Sequence, residues 1–326
     1  MLLYLSRRIV SGLVTLFGIT IVSFGVIQLA PGDPAQLQTA QIADAAVSQR
    51  VYEQLRQLYG LDRPLHAQYG LWMSRLVRGD LGNSFHDGRR VARKIGEALW
   101  PTLSVALISL LATLVVAVPL GIYAAVRQGR PFDRISSTLL YMLYSVPPYV
   151  MGMLLILYLG VKLDLLPFRG MRSDHFAELS AWGRFWDVSK HYVMITFCFT
   201  FGNLAYYARF VRQNLLEVIR QDYVRTARAK GLPERTVILR HAFRNSLIPL
   251  VSLIGLTFPF VLSGSVILEY MFNWPGLGRL YFESVLGRDY PTIMALNFIT
   301  AVLVLVTTFV ADLAYGWVDP RVSYER

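Results

Sequence analysis

Residues Leu99 to Val126 read LWPTLSVALISLLATLVVAVPLGIYAAV, without one Asp, Glu, Lys or Arg. A helix of about 20 apolar residues crosses the hydrocarbon core of a bilayer, and this stretch exceeds that length. Five more stretches share the property: residues 9–30, 135–161, 191–208, 245–268 and 290–311. None alternates polar and apolar residues as a lipid-facing barrel strand does. Backbone groups in lipid are then satisfied within helices. The expected fold is all-α, a polytopic membrane protein with six transmembrane helices.

Composition agrees. Hydrophobic residues make up 54% of the 326 and charged residues only 16%; mean hydropathy is +0.43. A soluble domain of this size carries a more charged surface. The net charge of +11 is compatible with nucleic acid, anionic lipid or cytoplasmic loops, and the apolar runs favour the loops. The single cysteine, Cys198, lies in an apolar run. It excludes an intrachain disulfide and a thiol metal site, and reads as a packing residue. Arg7 and Arg8 before residues 9–30 resemble a signal peptide. The run is longer than the ~7–15 residues of a signal core and lacks a small-x-small exit, so it reads as an uncleaved first span.

Orientation follows from Lys and Arg in the short loops. Arg7 and Arg8, then Arg127, Arg130 and Arg134, then a run of arginines from Arg209 to Arg244 fall on one side if the spans number six. That side is cytoplasmic, with both termini inside. The loop 271–289 is nearly balanced in charge and falls outside. The expected organisation is a first span at 1–30, an extracytoplasmic helical region at 31–98, a five-span core at 99–316 with a cytoplasmic loop at 212–244, and a cytoplasmic tail at 317–326. Within 31–98, Val51, Tyr52, Leu55 and Leu58 recur at helical spacing and Gly60 suits a helix end. Pro64 starts a second helical stretch with Leu65, Tyr69, Trp72 and Leu76. Both are expected to pack on the span ends.

The most informative loop reads Asp222-Tyr223-Val224-Arg225-Thr226-Ala227-Arg228-Ala229-Lys230-Gly231-Leu232-Pro233-Glu234-Arg235. Helix formers precede Gly231, which ends the helix in a left-handed conformation. Pro233 and Glu234 fit the first turn of a second helix. Tyr223, Ala227 and Leu232 offer a small apolar face ringed by arginines, suited to a groove on a partner protein. Charge alone also fits a basic loop lying on anionic headgroups; the ordered Gly-x-Pro junction favours docking.

The stretch 222–231 resembles the peptide-permease form of the "EAA" loop of ATP-binding-cassette (ABC) importers, and His241 to Pro249 resembles its continuation. Arg225-Thr226 stand where the general pattern has Glu-Ala, a departure shared by that branch. Gly32-Asp33-Pro34-Ala35, Gly60 to Leu65, Gly79 to Ser84, Ser145-Val146-Pro147, Glu269, Trp274 to Gly278, Arg288 to Pro291 and Asp319-Pro320-Arg321 continue the resemblance in order. The chain is thus similar to dipeptide and oligopeptide permease subunits, nearly end to end.

The resemblance implies a type I ABC importer permease fold in the bacterial inner membrane. It also implies a second homologous permease subunit, two cytoplasmic ATPase subunits and an extracytoplasmic substrate-binding protein. The sequence has no Gly-x-x-x-x-Gly-Lys-[Ser/Thr] run, so this chain is expected to be non-catalytic, with ATP and Mg bound by the ATPase partners and no cofactor of its own. Asp222, Tyr223, Arg225, Thr226, Ala227, Arg228, Ala229, Lys230, Gly231 and Leu232 are the candidate ATPase-coupling residues, with Tyr223, Ala227, Gly231 and Leu232 packing and the cations at the rim.

Helix-breaking residues mark where spans bend or line a cavity. Ser145, Pro147, Tyr149, Asn203, Tyr206, Ser263, Ser265 and Glu269 are candidates for the translocation path, though small and hydroxyl residues also serve helix packing. Asp80, Trp274, Pro275, Gly276 and Arg288 are candidates for contact with the binding protein; aromatic anchoring at the interface is the other reading of the last loop. No charged residue sits inside a span, which disfavours an ion-coupled secondary transporter. Ser263 and Ser265 have no histidine within a span to activate them. The arginine loop lacks a stacking platform for nucleic acid. Peptide is the expected substrate, with nickel chelates, glutathione and other small solutes as alternatives.

Overall fold

The computed structural model of the chain describes residues 2–29, 32–40, 42–262 and 265–318. These residues are helices and connecting loops, with one isolated antiparallel bridge between Asn83 and Arg90. The helices are α1 (Leu2–Leu29), α2 (Pro34–Thr39), α3 (Ala45–Tyr59), α4 (Leu65–Val77), α5 (Val91–Val126), α6 (Pro131–Tyr144) and α7 (Pro148–Leu155). They continue with α8 (Ala181–Ile219), α9 (Asp222–Ala229), α10 (Glu234–Thr236), α11 (Arg244–Leu262), α12 (Val266–Met271), α13 (Leu277–Leu286) and α14 (Tyr290–Val318).

Three of the described helices are long and apolar enough to cross a membrane: residues 6–29, α5, and residues 290–310 of α14. Counting each of two bent helix pairs as one crossing raises this to five. The stretch expected as the fourth span lies inside α8, whose 39 residues extend about 60 Å at 1.5 Å per residue. Asn203, several tyrosines and threonines dilute its hydropathy. α8 runs on to Ile219, so residues 212–219, expected in a loop, are helix.

Two expected spans are interrupted. In place of one helix over 135–161, α6 and the helix from Pro148 to Lys162 meet at 87°. Pro147 leaves helical geometry with ψ 136° and Pro148 opens the next helix; neither has an N–H to donate, so no α-ladder runs through the pair. The α7 helix then loosens into a π-helical turn, Ile156–Lys162. The region 245–268 is also two helices. α11 ends at Leu262, and Ser265, in extended backbone, caps α12 by accepting from Leu268 N at 3.3 Å. The axis bends by 42° around Pro249.

The chain divides into two compact units, residues 1–101 with 275–305, and residues 102–274 with 306–326. In the first, the two short helices expected from the apolar spacing are present as α3 and α4. Asp44 caps α3 by accepting from Ala46 N at 2.8 Å, and Gly60 closes it at φ 69°. α4 packs on α1, with Tyr69 and Thr20 hydroxyls 2.9 Å apart and Phe24 edge-on to Tyr69. Leu58, expected to pack, is exposed. Ile27, Ile293 and Met294 gather Phe24, Leu61 and Trp72 in one apolar cluster, and Val91, Ile95, Leu277, Ala295 and Leu296 form another.

A buried carboxylate ties this unit together. Asp289, 1% exposed, accepts from Ser84 Oγ at 2.6 Å, Phe85 N at 2.8 Å and Thr292 Oγ1 at 2.6 Å. Lys94 Nζ lies 3.5 Å from it and 3.0 Å from Asp87. Burial alone would raise the Asp87 carboxyl, but Lys94 and Ser84 outweigh it and hold it below the usual range.

In the second unit, Val105, Met194, Ile195, Cys198, Leu268, Phe272 and Trp274 pack together. Cys198 is buried there as a packing residue. Further along, Ala117, Tyr207, Ala208, Val211, Leu250 and Leu253 form a second core. Gly121 permits the approach of α5 to α8: a Cβ there would stand 2.7 Å from the Ala208 carbonyl oxygen.

Candidate functional site

The elbow between α8 and α11 follows from its residues in order. α8 ends at Ile219, and Gln221, in extended backbone, turns the chain into α9. Asp222 sits in the first turn of α9 and Arg228 in the last, each complementing the helix dipole. Gly231, at φ 72°, ends the short helix, its N–H donating to Arg228 O at 2.9 Å. Pro233 stands immediately before α10, outside its first turn. A π-helical segment, Val237–Phe243, leads into α11.

What fixes the elbow is apolar. Val224 and Ala227, three residues apart on α9, are 0% and 5% exposed. They pack with Leu215, Val237, Ile238, Ala242 and Ala125. Ala227, expected among the outward packing residues, therefore points inward; its spacing from Val224 puts both on the face that α9 buries. Asp222, Tyr223, Arg225, Thr226, Arg228, Ala229, Lys230, Gly231 and Leu232 remain exposed. Val224, Leu215 and Val237 were not among the sequence candidates, although the i, i+3 spacing of Val224 and Ala227 is the signal that marks them.

The exposed face is largely cationic. Arg228 grips Glu234 with two hydrogen bonds, Nη2 to Oε1 at 2.8 Å and Nε to Oε2 at 3.2 Å. The guanidinium holds the Glu234 carboxyl below the ordinary glutamate range. This bridge spans Gly231 and ties α10 back to α9. Arg225 makes a 3.4 Å contact with Asp222 on its own helix. The result is a firmly seated turn that presents Tyr223, Leu232 and several cations outward.

The path candidates fall in different settings. Ser145, Pro147 and Tyr149 are exposed around the 87° break; Ser145 Oγ donates to Tyr141 O at 2.9 Å. Asn203 Nδ2 donates to Phe199 O at 3.0 Å, within its own helix. Tyr206 lines a cleft between α6 and α8. Ser265 caps α12. Glu269 is 0% exposed and accepts from Thr102 Oγ1 at 2.9 Å. Ser263 lies outside the described residues.

Among the binding-protein candidates, Asp80 and Pro275 are exposed, and Asp80 Oδ1 accepts from Gly82 N at 2.9 Å. Trp274 and Gly276, expected at the surface, are instead buried. Trp274 is 0% exposed and meets Tyr192 edge to face at 4.6 Å; an aromatic run read as an interfacial belt supplies a core residue instead. The Arg288 guanidinium fills the space beside Gly32, where a Cβ would collide with it.

Comparison with known proteins identifies the family of the chain. A family profile for the binding-protein-dependent transport system inner membrane component matches residues 117–324. A second, for the N-terminal part of such membrane components, matches residues 1–106. The chain is 37% identical over 325 residues to the oligopeptide transport system permease protein AppB of Bacillus subtilis, covering 98% of this chain and 99% of the relative. It is 38% identical over 325 residues to the glutathione transport system permease protein GsiC of Escherichia coli O6:H1, covering all of both. A solved structure of the MetNI methionine ABC transporter in an inward-facing conformation shares the fold, with TM-score 0.55 and 18% identity. That match covers 69% of this chain and 96% of the other.

Proposed function

We propose, from the premise that this chain belongs to the family of inner-membrane components of binding-protein-dependent transport systems, that it forms half of the path by which an ABC importer takes up peptides. A second, homologous permease supplies the other half. An extracytoplasmic binding protein delivers the substrate, and two ATPase subunits in the cytoplasm bind ATP and Mg and drive the cycle. The chain crosses the plasma membrane six times with both termini inside, as the distribution of Lys and Arg supports. The bent 131–162 pair, α8 and the 234–262 region would then supply the three crossings beyond the three long apolar helices.

The elbow carries the reading. It is anchored from within by Val224 and Ala227 and offers Tyr223, Arg225, Lys230 and Leu232 outward. A rigid body of this kind transmits displacement, so closure of an ATPase cleft around it becomes movement of α8 and α11. Ser145, Pro147 and Tyr149, exposed around the 87° break, are the proposed path lining; Asp80, Pro275 and Arg288 are the proposed contacts for the binding protein.

Peptide is the proposed substrate because the oligopeptide and glutathione permeases resemble this chain almost equally, and glutathione is itself a small peptide. The test is affinity purification of the full chain from its native membrane, followed by uptake of labelled di-, tri- and oligopeptides. Co-purification of ATPase subunits with peptide uptake supports the proposal. A lone chain that transports in response to an ion gradient overturns it.

A further inference from the structure

Within the second unit, α5, α6 and α8 enclose a cleft of about 300 Å³, at the small end of the roughly 300–1,000 Å³ that ligand sites occupy. Its lining includes the apolar Leu120, Ala124 and Leu140, the polar Ser136, Ser137 and Gln213, and Arg209 with three tyrosines, Tyr141, Tyr144 and Tyr206. Two arginines line the cleft and differ in their partners. Arg212 is neutralised by Asp133, with contacts at 2.6 and 2.8 Å. Arg209 has no carboxylate partner among the described residues. It reaches the Tyr141 hydroxyl at 3.4 Å, with its guanidinium 5.9 Å from that ring. Arg209 directly follows the uncharged stretch 191–208, so it sits where a span leaves the hydrocarbon.

We infer that this cleft is a binding site for an anionic phospholipid, with the headgroup phosphate on Arg209 and the tyrosine hydroxyls and an acyl chain against Leu120, Ala124 and Leu140. A cation at a span end beside an apolar slot matches a molecule that carries its negative charge at the end of a hydrocarbon tail. A peptide fits less well. It brings an ammonium as well as a carboxylate, and among the described residues no Asp or Glu lines the cleft to receive the ammonium. The inference depends on residence in the membrane and not on which solute is transported.

The test uses the full chain in vesicles of equal phosphatidylglycerol and phosphatidylcholine, followed by mild extraction and mass spectrometry of the retained lipid. The wild-type chain should retain phosphatidylglycerol several-fold over phosphatidylcholine. Arg209→Gln should abolish that preference, and Arg50→Gln, at an exposed arginine elsewhere, should keep it. Ala205→Trp fills the cleft without altering charge and should also lower retention. Equal retention of the two lipids by the wild-type chain, or an unchanged preference in both cleft variants, overturns the inference. So does loss of the bound lipid on adding peptide at transport concentrations, which assigns the cleft to the substrate. Failure of peptide uptake with lipid preference intact would remove the substrate proposal and leave this one standing.

Discussion

The region around Asp289 and the elbow around Gly231 both hold chain outside the uncharged stretches, but the first is tied by charge and the second by apolar packing. Asp289 collects three hydrogen bonds and an ammonium while 1% exposed. The elbow is seated by Val224, Leu215 and Val237, each 0% exposed, and turns its arginines outward. A buried carboxylate of this kind is a lock: removing one member leaves others desolvated and unpaired. An apolar seat weakens in proportion to the volume removed, and it leaves the polar surface available to a partner.

The largest effect should follow from breaking the lock. Asp289→Ala leaves Ser84 and the Phe85 N–H without an acceptor and removes one of the two carboxylates beside Lys94. Breaking a buried pair costs about 3–5 kcal/mol, so thermal unfolding in detergent should shift clearly downward and proteolysis within residues 79–94 should rise. Asp289→Asn keeps an acceptor oxygen and should lose less. Equal, small losses in both would mean that the region is held by its apolar clusters after all.

Leu215→Ala tests the other side. Its cost should fall at about 2–5 kcal/mol, the range for emptying a packed leucine site. It should also release α9 and weaken co-purification of the ATPase subunits. Tyr223→Ala, at an exposed position, should weaken the same association with little change in unfolding temperature. If Leu215→Ala lowers stability but not association, the elbow docks without needing its seat.

How far these regions were legible in the sequence differs for the same reason. Apolar runs, Gly60, Pro64 and Gly231 act through local backbone rules, so α3, α4 and the turn after α9 could be read directly. The break at Pro147 was marked by proline, but hydropathy averaged over it and suggested a continuous span. The Asp289 lock was not legible. Its partners Ser84 and Phe85 stand about two hundred positions away, and no local pattern reports such a pairing. Trp274 was misplaced because an aromatic residue near a span end reads alike whether it anchors in lipid or fills a core. Ala227 was misplaced because an eight-residue helix ringed by arginines shows too little periodicity to fix its inner face without Val224.

Gly231 sharpens the comparison at the hinge of the elbow. No atom lies within 4 Å of a Cβ built there, so the constraint is its φ of 72° alone. An L-residue in that conformation costs about 1–2 kcal/mol, and a β-branched one sits near the upper end. Gly231→Val should therefore disturb the turn, lowering peptide uptake per ATP hydrolysed while membrane insertion stays normal. Gly231→Asn, which tolerates the left-handed region, should recover most of the coupling. Identical uptake ratios for wild type, Val and Asn would remove the turn from the coupling mechanism.

The smallest effect should come from the ion pair that bridges the same turn. Arg228 and Glu234 side chains are 39% and 55% exposed, so water screens them and the pair contributes less than about 1 kcal/mol. The sign of its pH dependence follows from the lowered Glu234 carboxyl. The contribution is fully present above the ordinary glutamate value and is lost only as pH falls through the lower, folded-state value. Coupling between the two residues, measured by a double-mutant cycle of Arg228→Gln and Glu234→Gln, should thus be constant from pH 8 to pH 5 and vanish only in stronger acid. A coupling of several kcal/mol at neutral pH would place charge, not apolar packing, at the foundation of the elbow and erase its difference from the Asp289 region. A value near zero leaves Val224, Leu215 and Val237 as the seat and frees Arg228 for a partner's carboxylate.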